Sequence, residues 1–432
     1  MPDRLHYIGP VSDRRTRHLL RVDLSSLTTA LRRAVLAFLG VPVLVAVALT
    51  LVDSYRRRGK KPKPFPTHPP ATVTIGDGTV TTYTFGQDLY EDMLADIKEA
   101  RQQILFETYI WKGDEVGERF KAALTEAARS GVEVYVIYDS FANIVVSPRF
   151  KRFDPRLRVL HFPVYAAGWR FFDLRRYGRD HRKILVVDAK VAFVGGYNIG
   201  APYATEWRDT HVRVTGPGVF DLKRAFADMW NLYRRPRNGT RPLLLETTSD
   251  WETRIRVHRN VPRLWMFPIR GMYIEAINRA SHHIWLTHAY FIPDSDFVEA
   301  LEAAAERGVD VRLLVPATSN HVVADWLSRG YYGELLNAGV RIFRFRGMVH
   351  AKTATIDGRW ATVGTANIDR LSMTGNYEIN VEFIDPGQAA EMERIFATDL
   401  SNSVELTAEQ WHRRGFHRKF TETLLAPLRP LL

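Results

Sequence analysis

Residues 181–188 read His-Arg-Lys-Ile-Leu-Val-Val-Asp, and residues 350–357 read His-Ala-Lys-Thr-Ala-Thr-Ile-Asp. Both stretches follow the pattern H-x-K-x-x-x-x-D. Either copy alone is a loose pattern, because His, Lys and Asp at fixed offsets also arise by chance on an exposed strand. The recurrence indicates a duplicated unit, and the surrounding sequence tests that interpretation.

The repeat extends well beyond the motif. In each copy an Asn follows the His by 17 residues, and a carboxylate follows it by 28 residues. These companions are Asn198 with Asp209 in the first copy and Asn367 with Glu378 in the second. Four residue types that recur in register argue against coincidence.

The motif has the pattern of a strand. His181 and Lys183 are two residues apart and precede the apolar run 184–187, so both polar side chains face the same side of a strand. His350 and Lys352 repeat this arrangement in the second copy. Each copy therefore presents one imidazole and one ammonium from a rigid sheet, which by itself is an incomplete site.

The Asp that ends each motif has a different expected role. Asp188 and Asp357 stand where turns are predicted, each ahead of a second apolar strand at 191–194 and 360–363. We expect these two residues to brace the hairpins rather than to contact substrate.

The rest of the chain repeats in the same order of strand, helix and strand. In the first copy, the strand, helix and strand patterns occupy segments 104–110, 115–130 and 132–138. The connections between these segments are short, which predicts right-handed crossovers in a largely parallel sheet. We predict an α/β protein with two tandem α/β/α domains related by a pseudo-two-fold axis. The predicted segments are a basic N-terminal segment (1–33), a transmembrane helix (34–52), a basic Pro-rich linker (53–70), a first domain (71–245) and a second domain (246–432).

The overall charge restricts the class of partner. A formal net charge of +12 predicts attraction to an anionic partner, either nucleic acid or an acidic membrane surface. The chain has no cysteine, which excludes disulfides and thiolate metal sites.

Segment 34–52 is free of charged residues, and as a helix it would be roughly 28 Å long, enough to cross the hydrocarbon of a bilayer. A signal peptide and a buried core helix are the alternatives. Basic residues balance over the wider flanks, but those close to the segment are more numerous on its C-terminal side. We therefore expect a single-pass anchor in a bacterial cell membrane, with the catalytic part on the cytoplasmic side.

Two His, two Lys and two Asn around one cleft suit chemistry at a phosphodiester. Lysines and Asn amides can hold the non-bridging oxygens. One neutral imidazole can attack phosphorus while the other, protonated, donates to the leaving oxygen, and the reaction then passes through a phosphohistidine. A carboxylate can fix each imidazole, as Asp209 and Glu378 are placed to do. No metal or cofactor is predicted, since no carboxylate or His cluster has ligand spacing.

Both copies resemble the phospholipase D superfamily, whose paired H-x-K-x-x-x-x-D motif is its defining feature. The longer context at 179–183, 195–200, 207–211, 364–369 and 376–378 is similar to bacterial cardiolipin synthases. The resemblance covers roughly residues 70 to 430. It implies transfer of a phosphatidyl group between phosphatidylglycerol molecules with release of glycerol, with His181 as nucleophile and His350 as general acid/base. The near-symmetry of the copies leaves the reverse assignment open.

The sequence departs from this family at several positions. Gly196 and Thr365 stand where the family often has Ser. Residue 371 is Leu where Arg is more usual. A single predicted span replaces the two that are common in relatives. These departures concern lipid choice and topology rather than reaction class.

An aromatic and basic stretch precedes the first motif, and we predict that it is a lip that dips into the membrane interface; a half-exposed loop is the alternative. It consists of Trp169, Arg170, Phe171 and Phe172. Three other functions stay open: a hydrolase that uses water as acceptor, a nuclease, and an inactive scaffold that binds anionic lipid. The predicted partners are phosphatidylglycerol and the membrane. Nucleic acid is disfavoured by the anchor, and the oligomeric state is open.

Overall fold

The computed structural model describes residues 24–57, 62–163, 178–234, 241–244, 247–248 and 252–431, with the backbone alone for 24–39 and 430–431. The predicted lip, Trp169 to Phe172, lies outside the described residues. So do the predicted domain boundary at 245/246 and most of the basic segment 1–33.

The first helix, α1, runs from Leu24 to Arg57 and encloses the predicted span 34–52. Among helices in the described part of the chain, none has the combination of length and hydropathy needed to cross a bilayer.

The first domain begins with a hairpin that turns at Gly76 and Asp77. Its elements are β1 Ala71–Ile75, β2 Gly78–Tyr83, α2 Gly86–Glu99, β3 Gln103–Thr108, α3 Glu115–Arg129, β4 Glu133–Asp139, β5 Arg158–Phe162, β6 Ile184–Val187, β7 Val191–Gly195, α4 Ala201–Thr205, β8 Trp207–Arg208, β9 His211–Thr215 and α5 Val219–Tyr233.

The second domain repeats this order and adds C-terminal helices. Its elements are β10 Ile255–Asn260, α6 Pro268–Arg279, β11 His283–His288, β12 Phe291–Ile292, α7 Ser295–Glu306, β13 Asp310–Pro316, α8 Val322–Asn337, β14 Arg341–Phe345, β15 Met348–Val349, β16 Lys352–Ile356, β17 Trp360–Gly364, β18 Ile368–Asp369, α9 Arg370–Thr374, β19 Glu378–Phe383, α10 Pro386–Ser401, β20 Ser403–Leu406, α11 Ala408–His412 and α12 Phe416–Leu425. Short 3-10 turns cover Pro262–Leu264 and Ala426–Leu431.

Each domain has one eight-stranded sheet, and seven strands follow the same order in both sheets. The eighth strand differs, because β1 extends the first sheet at one edge and β20 extends the second at the opposite edge. The orders are β1-β2-β9-β7-β6-β3-β4-β5 and β10-β19-β17-β16-β11-β13-β14-β20. The predicted α/β class with two tandem domains is confirmed. The prediction of a largely parallel sheet is wrong: β3, β4 and β5 are parallel, but every other neighbouring pair of the first sheet is antiparallel. The reason is the motif hairpin β6-β7, because a hairpin pairs its own strands antiparallel.

The crossover helices have matching ends in the two domains. Asp114 and Asp294 cap α3 and α7, each accepting a hydrogen bond from a backbone N–H in the first turn. Gly131 and Gly308 follow these helices with φ of +96° and +88°, a left-handed conformation that glycine adopts without a steric cost. Local sequence thus sets where both helices start and stop.

The domains face each other through a common apolar core. Val194 and Val212 of the first sheet belong to the same buried cluster as Val363 and Val381 of the second. Burial of these side chains stabilises the interface by removing apolar surface from water. The shared core holds the two motif strands, β6 and β16, in a fixed relation.

Candidate active site

His181 lies three residues before β6 and His350 two residues before β16, and both strands are near the middle of their sheets. The motif Asp residues lie at the other ends of these strands, with φ of 53° at Asp188 and 54° at Asp357. The Asp188 carboxylate accepts the backbone N–H groups of residues 101, 102 and 103 at 2.8 to 2.9 Å, and Asp357 accepts those of 281, 282 and 283 over the same distances. Both carboxylates thus tie the motif hairpin to the start of the adjacent strand.

Each motif histidine is hydrogen-bonded through its backbone to the opposite domain. The N–H of His181 donates to the carbonyl of Tyr377 at 3.0 Å, and the N–H of His350 donates to the carbonyl of Arg208 at 2.6 Å. Strands β8 and β15 pair in parallel beside the second contact. The sequence neighbours of each carboxylate therefore lie against the histidine of the other copy.

The side chains cross in the same way. His181 Nδ1 lies 2.9 Å from one oxygen of Glu378 and 3.1 Å from the other. His350 Nδ1 lies 2.6 Å from Asp209 Oδ2. Each histidine is thus oriented by a carboxylate from the other domain, which leaves Nε2 as the ring nitrogen for chemistry. Neither domain contains a complete site.

A cavity of about 450 Å³ opens between the domains and brings the predicted residues together. Both histidines and both asparagines of the repeat are in its wall. The lining residues are Tyr109, Ile110, His181, Asn198, Trp207, Tyr290, Ile292, Asn320, His321, Val323, Ala324, His350, Asn367, Asp369, Leu371, Ser372 and Asn376. A larger groove of about 780 Å³ lies between α2 and α3, and it contains none of the paired His, Lys, Asn and carboxylate residues.

Lys183 and Lys352 do not line this cavity, and both are buried. The Nζ of Lys183 donates to the carbonyl of His181 at 2.6 Å. The Nζ of Lys352 donates to the carbonyl of His350, and it lies 3.1 Å from Nε2 of that ring. Burial lowers the pKa of Lys183 to about 7 and that of Lys352 to about 8. An anionic substrate would favour the charged form of both.

The surroundings of both imidazoles favour their neutral form. Burial lowers the pKa of His350 to about 3, and the charge of Lys352 adds to this effect. Burial and the two lysines also hold the pKa of His181 well below its usual value. A neutral imidazole can act as nucleophile or base, and a bound phosphodiester anion would raise either pKa.

The two carboxylates differ in charge state. Burial opposes ionisation of Asp209, but Lys352 and His350 outweigh it and hold its pKa below the usual range. Burial instead raises the pKa of Glu378 to about 7. The anionic form is therefore favoured more strongly for the carboxylate beside His350 than for the one beside His181.

The two halves also hold their carboxylates by different means. Thr365 Oγ1 donates to Glu378 Oε2 at 2.5 Å. The equivalent position in the first half is Gly196, where a Cβ would lie 2.0 Å from Asp209 Oδ1. The two departures from the family pattern therefore have related effects. Thr365 supplies a hydroxyl that binds Glu378, and Gly196 leaves room for the carboxylate of Asp209.

The asparagines of the repeat are not equivalent. Asn198 Oδ1 accepts the backbone N–H of Ile110 at 3.1 Å, which fixes the orientation of its amide. Asn367 is buried, and its Oδ1 has no hydrogen-bond partner among the described residues. Such an unpaired buried polar atom is costly unless a ligand satisfies it.

Sequence reasoning missed several residues of the wall. The ring of Tyr109 meets the imidazole of His181 edge-on at 4.7 Å, and the ring of Trp207 lies 5.1 Å from His350. The hydroxyl of Tyr290 donates to Asn320 Oδ1 at 2.6 Å. Trp207 stands two residues before Asp209, so its closeness to the motif could have identified it as a site residue. Tyr290 and Asn320 have no motif near them in the sequence.

Within the described residues, no group of three or more His, Asp or Glu side chains is placed to hold a metal ion.

Burial raises the pKa of Asp369, in the cavity wall, to about 7. Its carboxylate caps α9 through the N–H of Ser372.

A family model described as "Cardiolipin synthase, PLD-like domain" matches residues 93–230 and 273–400. The cardiolipin synthase of Clostridium perfringens (strain SM101 / Type A) is 32% identical over 370 residues, which cover 82% of this chain and 77% of that protein. The cardiolipin synthase of Listeria welshimeri serovar 6b is 32% identical over 369 residues, which cover 83% of this chain and 77% of that protein.

Among solved structures, the phosphatidylserine synthase of Haemophilus influenzae Rd KW20 is similar, with a TM-score of 0.62. At 12% identity this likeness concerns the fold, and it covers 84% of this chain and 95% of the other.

Proposed function

This chain belongs to the phospholipase D-like family of cardiolipin synthases, and from that premise we propose that it is a phosphatidyltransferase of the cardiolipin synthase type. It moves a phosphatidyl group from one phosphatidylglycerol to another and releases glycerol. The observation that carries this proposal is the crossed pairing of His181 with Glu378 and of His350 with Asp209 at one cavity.

In the first step, Nε2 of His181 attacks the phosphorus of the donor lipid. The bond between phosphorus and the glycerol oxygen breaks. His350, whose pKa rises once the phosphodiester anion binds beside it and Asp209, is protonated in this complex and gives its proton to that oxygen. The products are glycerol and a phosphatidyl group on His181. Lys183 and Lys352 lie buried behind the two histidines. When charged, they supply positive potential toward the reacting phosphoryl group, and exclusion of water strengthens this effect.

In the second step, His350 takes the proton from a hydroxyl of the acceptor lipid. The freed oxygen attacks phosphorus, the bond to Nε2 breaks, and cardiolipin leaves. No net proton is consumed over the two steps. Water in place of the acceptor would give phosphatidic acid, so the acceptor alone separates the synthase from a hydrolase.

The carboxylates support this assignment of roles. Asp209 stays ionised and stabilises the imidazolium that His350 must form. Glu378 has a raised pKa, so it favours a neutral His181, the form that attacks. If the roles were exchanged, His181 would be the acid/base, and it would lie beside Glu378, the carboxylate with the raised pKa.

We also propose that an approximate two-fold axis relates the domains and that α1 anchors the protein in the membrane. The two crossed pairs and the common strand order support the former. The uncharged run 34–52 and the exposure of Leu44, Val47 and Leu51, at 69%, 51% and 66%, support an anchor in α1. In this proposal the catalytic domains lie on the cytoplasmic side.

The reaction can be tested with full-length protein in mixed micelles and phosphatidylglycerol labelled in its terminal glycerol. We expect cardiolipin and free labelled glycerol in equal amounts, identified by mass. Phosphatidic acid without cardiolipin would make the protein a hydrolase. Absence of any lipid product, together with cleavage of single-stranded DNA, would favour a nuclease.

The roles of the histidines can be tested with a donor that carries an activated leaving group. His350→Ala should form a phosphatidyl-enzyme that accumulates on His181, because this leaving group needs no proton. His181→Ala should not be labelled. A covalent adduct mapped to His350 in the His181→Ala protein would reverse the assignment.

A further inference from the structure

Asp369 is a carboxyl group in the cavity wall that has no part in the two proposed steps. It ends β18 and is 9% exposed. Its Oδ1 accepts the backbone N–H of Ser372 at 2.7 Å, and no Lys or Arg in the described part of the chain forms an ion pair with it. A buried carboxylate without a cation is costly, so its surroundings favour the neutral acid.

A second carboxyl group adds to this preference. Burial raises the pKa of Asp369 to about 7, and the charge of Glu378 on β19 contributes in the same direction. The hydroxyl of Ser372 acts on both carboxyl groups and lowers the pKa of each, so it lies within reach of both. Two carboxyl groups this close do not readily ionise together, and the pair retains a proton.

The hydrogen bonds favour Asp369 as the group that keeps this proton. Glu378 has two side-chain neighbours that can donate to a carboxylate, Thr365 Oγ1 at 2.5 Å and His181 Nδ1 at 2.9 Å. Asp369 accepts one backbone N–H. Because donors stabilise an anion, the negative charge is better placed on Glu378 and the proton on Asp369.

Other titratable groups near Asp369 do not reverse this preference. Lys352 on β16 lowers the pKa of Asp369, but burial and the charge of Glu378 outweigh it. Burial raises the pKa of Tyr290, which precedes β12, and the charge of Asp369 contributes, so Tyr290 supplies no charge. Arg370 follows Asp369 on α9 and is exposed. The neutral acid is therefore the form expected in the cavity wall.

This acid has no counterpart in the first domain. Asp369 follows the motif histidine of its copy by 19 residues, and the same offset in the first copy leads to Gly200. Asn367 lines the same cavity and has a buried Oδ1 without a partner among the described residues. An unsatisfied buried oxygen and a neutral acid in one wall indicate that a polar ligand completes it.

We propose that Asp369, as a neutral carboxylic acid, donates a hydrogen bond to a non-bridging oxygen of the bound phosphodiester. This oxygen carries negative charge, and its approach further favours the protonated acid, so binding and protonation support each other. An ionised Asp369 would repel the same oxygen. The role rests on the proposed phosphodiester substrate, but it does not depend on whether an alcohol or water is the acceptor.

Asp369→Asn tests this role, because the amide keeps an oxygen for the N–H of Ser372 and offers an N–H donor that does not titrate. Asp369→Ala removes both. The control is Asp385→Asn, since Asp385 caps α10 through the N–H of Gln388 at 3.0 Å, is 8% exposed and lies outside the cavity. Full-length protein in mixed micelles is assayed from pH 5.5 to pH 9 with a phosphatidyl ester of p-nitrophenol. Release of p-nitrophenol reports attack on phosphorus whatever the acceptor, and the assay with labelled glycerol tests the synthase separately.

In the parent, kcat/KM should fall as the pH rises through about 7, because ionisation of Asp369 removes the donor and adds a negative charge. Asp369→Asn should keep most of the parent kcat/KM at pH 6 and decline less above it. The ratio of variant to parent should rise about 10-fold between pH 6 and pH 9, the factor expected for a hydrogen bond to a charged oxygen. Glu378, Lys183 and Lys352 titrate in this range in both proteins, so the ratio isolates Asp369. Asp369→Ala should lower kcat/KM about 10-fold at pH 6, whereas Asp385→Asn should follow the parent at every pH.

A ratio that stays constant with pH would overturn the proposal and leave Asp369 as a helix cap. Loss of activity at every pH in folded Asp369→Asn protein would also overturn it, since a carboxylate would then be required as a base. A parent that releases p-nitrophenol but makes no cardiolipin would disprove the synthase and leave the test of Asp369 intact.

The parent protein gives a second readout if the Asp369 variants unfold, which circular dichroism detects. With aspartate labelled by carbon-13, the infrared carbonyl band of a protonated acid should be present at pH 6. Addition of orthovanadate, which mimics the phosphoryl group, should shift this band because the O–H gains an acceptor. Absence of the shift with vanadate bound would contradict the proposal.

Discussion

At the scale of single residues, the site is symmetric in sequence and asymmetric in chemistry. Asp209 and Glu378 occupy equivalent positions, but they differ in length, in charge state and in the residue that supports them. The hydroxyl of Thr365 donates a hydrogen bond to Glu378, whereas Gly196 has no Cβ that would clash with the carboxylate of Asp209. In the proposed mechanism, this difference gives the two histidines different roles.

Thr365→Val tests the hydrogen-bonded half. Loss of a hydrogen bond to a charged acceptor costs about 1.5–3 kcal/mol, so kcat should fall about 10- to 100-fold. Thr365→Ser keeps the hydroxyl and should retain most activity. An equal loss in both variants would mean that the methyl group, not the hydroxyl, matters.

Gly196→Ala tests the other half. The added Cβ displaces the Asp209 carboxylate from His350, and loss of the acid/base should reduce kcat by about 100-fold or more. Initial rates give the effect, and circular dichroism checks the fold. Full activity in the alanine variant would show that Asp209 can move without consequence.

Glu378→Gln should separate stability from activity. The pKa of Glu378 is raised from 4.5 to about 7 in the folded state, so the folded protein binds an extra proton between these values and loses stability as the pH rises through them. Above pH 7 the ionised group costs on the order of 3 kcal/mol. The Tm of the variant should therefore exceed that of the parent at pH 8 and match it below pH 4.5, while activity falls. A Tm difference that does not change with pH would contradict this.

At the scale of elements, each domain contains one motif hairpin, and the Asp of the motif stands at its turn. Asp188 stands at a left-handed turn and accepts three backbone N–H groups, which hold its pKa below the usual range although burial opposes this. Its contribution is present above the unfolded pKa and is lost as the pH falls through the folded one.

Asp188→Ala should lower the free energy of unfolding by about 1–3 kcal/mol, from the lost acceptor and from the positive φ. Asp188→Asn tolerates that φ and keeps one oxygen acceptor, so its loss should be smaller. Urea unfolding at pH 7 measures both variants. If Asn is as damaging as Ala, the charge of the carboxylate rather than its geometry is responsible.

Sequence patterns predicted the elements well because their causes are local. The turns at Asp188 and Asp357 and the helix that ends before Gly131 follow from turn and cap residues. The largely parallel sheet was wrong because strand pairing is decided by neighbours distant in sequence. The pairing of His181 with Glu378 rather than Asp209 was not predictable for the same reason, and Asn320 reaches the cavity from a segment with no motif.

At the scale of the whole molecule, the site exists only while the domains stay in register. Arg208, next to Asp209, donates to both oxygens of Asp399 on α10 at 2.9 and 2.7 Å. Both side chains are almost fully buried. This inter-domain ion pair fixes β8, and with it Trp207 and the carboxylate that orients His350.

Asp399→Ala should therefore affect stability and catalysis together. Removal of one partner leaves a buried, uncompensated guanidinium, which costs about 3–5 kcal/mol. The exposed pair of Glu275 with Arg279 is the control, and Glu275→Ala should cost less than about 1 kcal/mol. Urea unfolding gives the stabilities, and kcat measured well below the Tm separates unfolding from displacement of β8. Normal kcat in folded Asp399→Ala protein would mean that the apolar core between the sheets, without the ion pair, is enough to hold two half-sites as one.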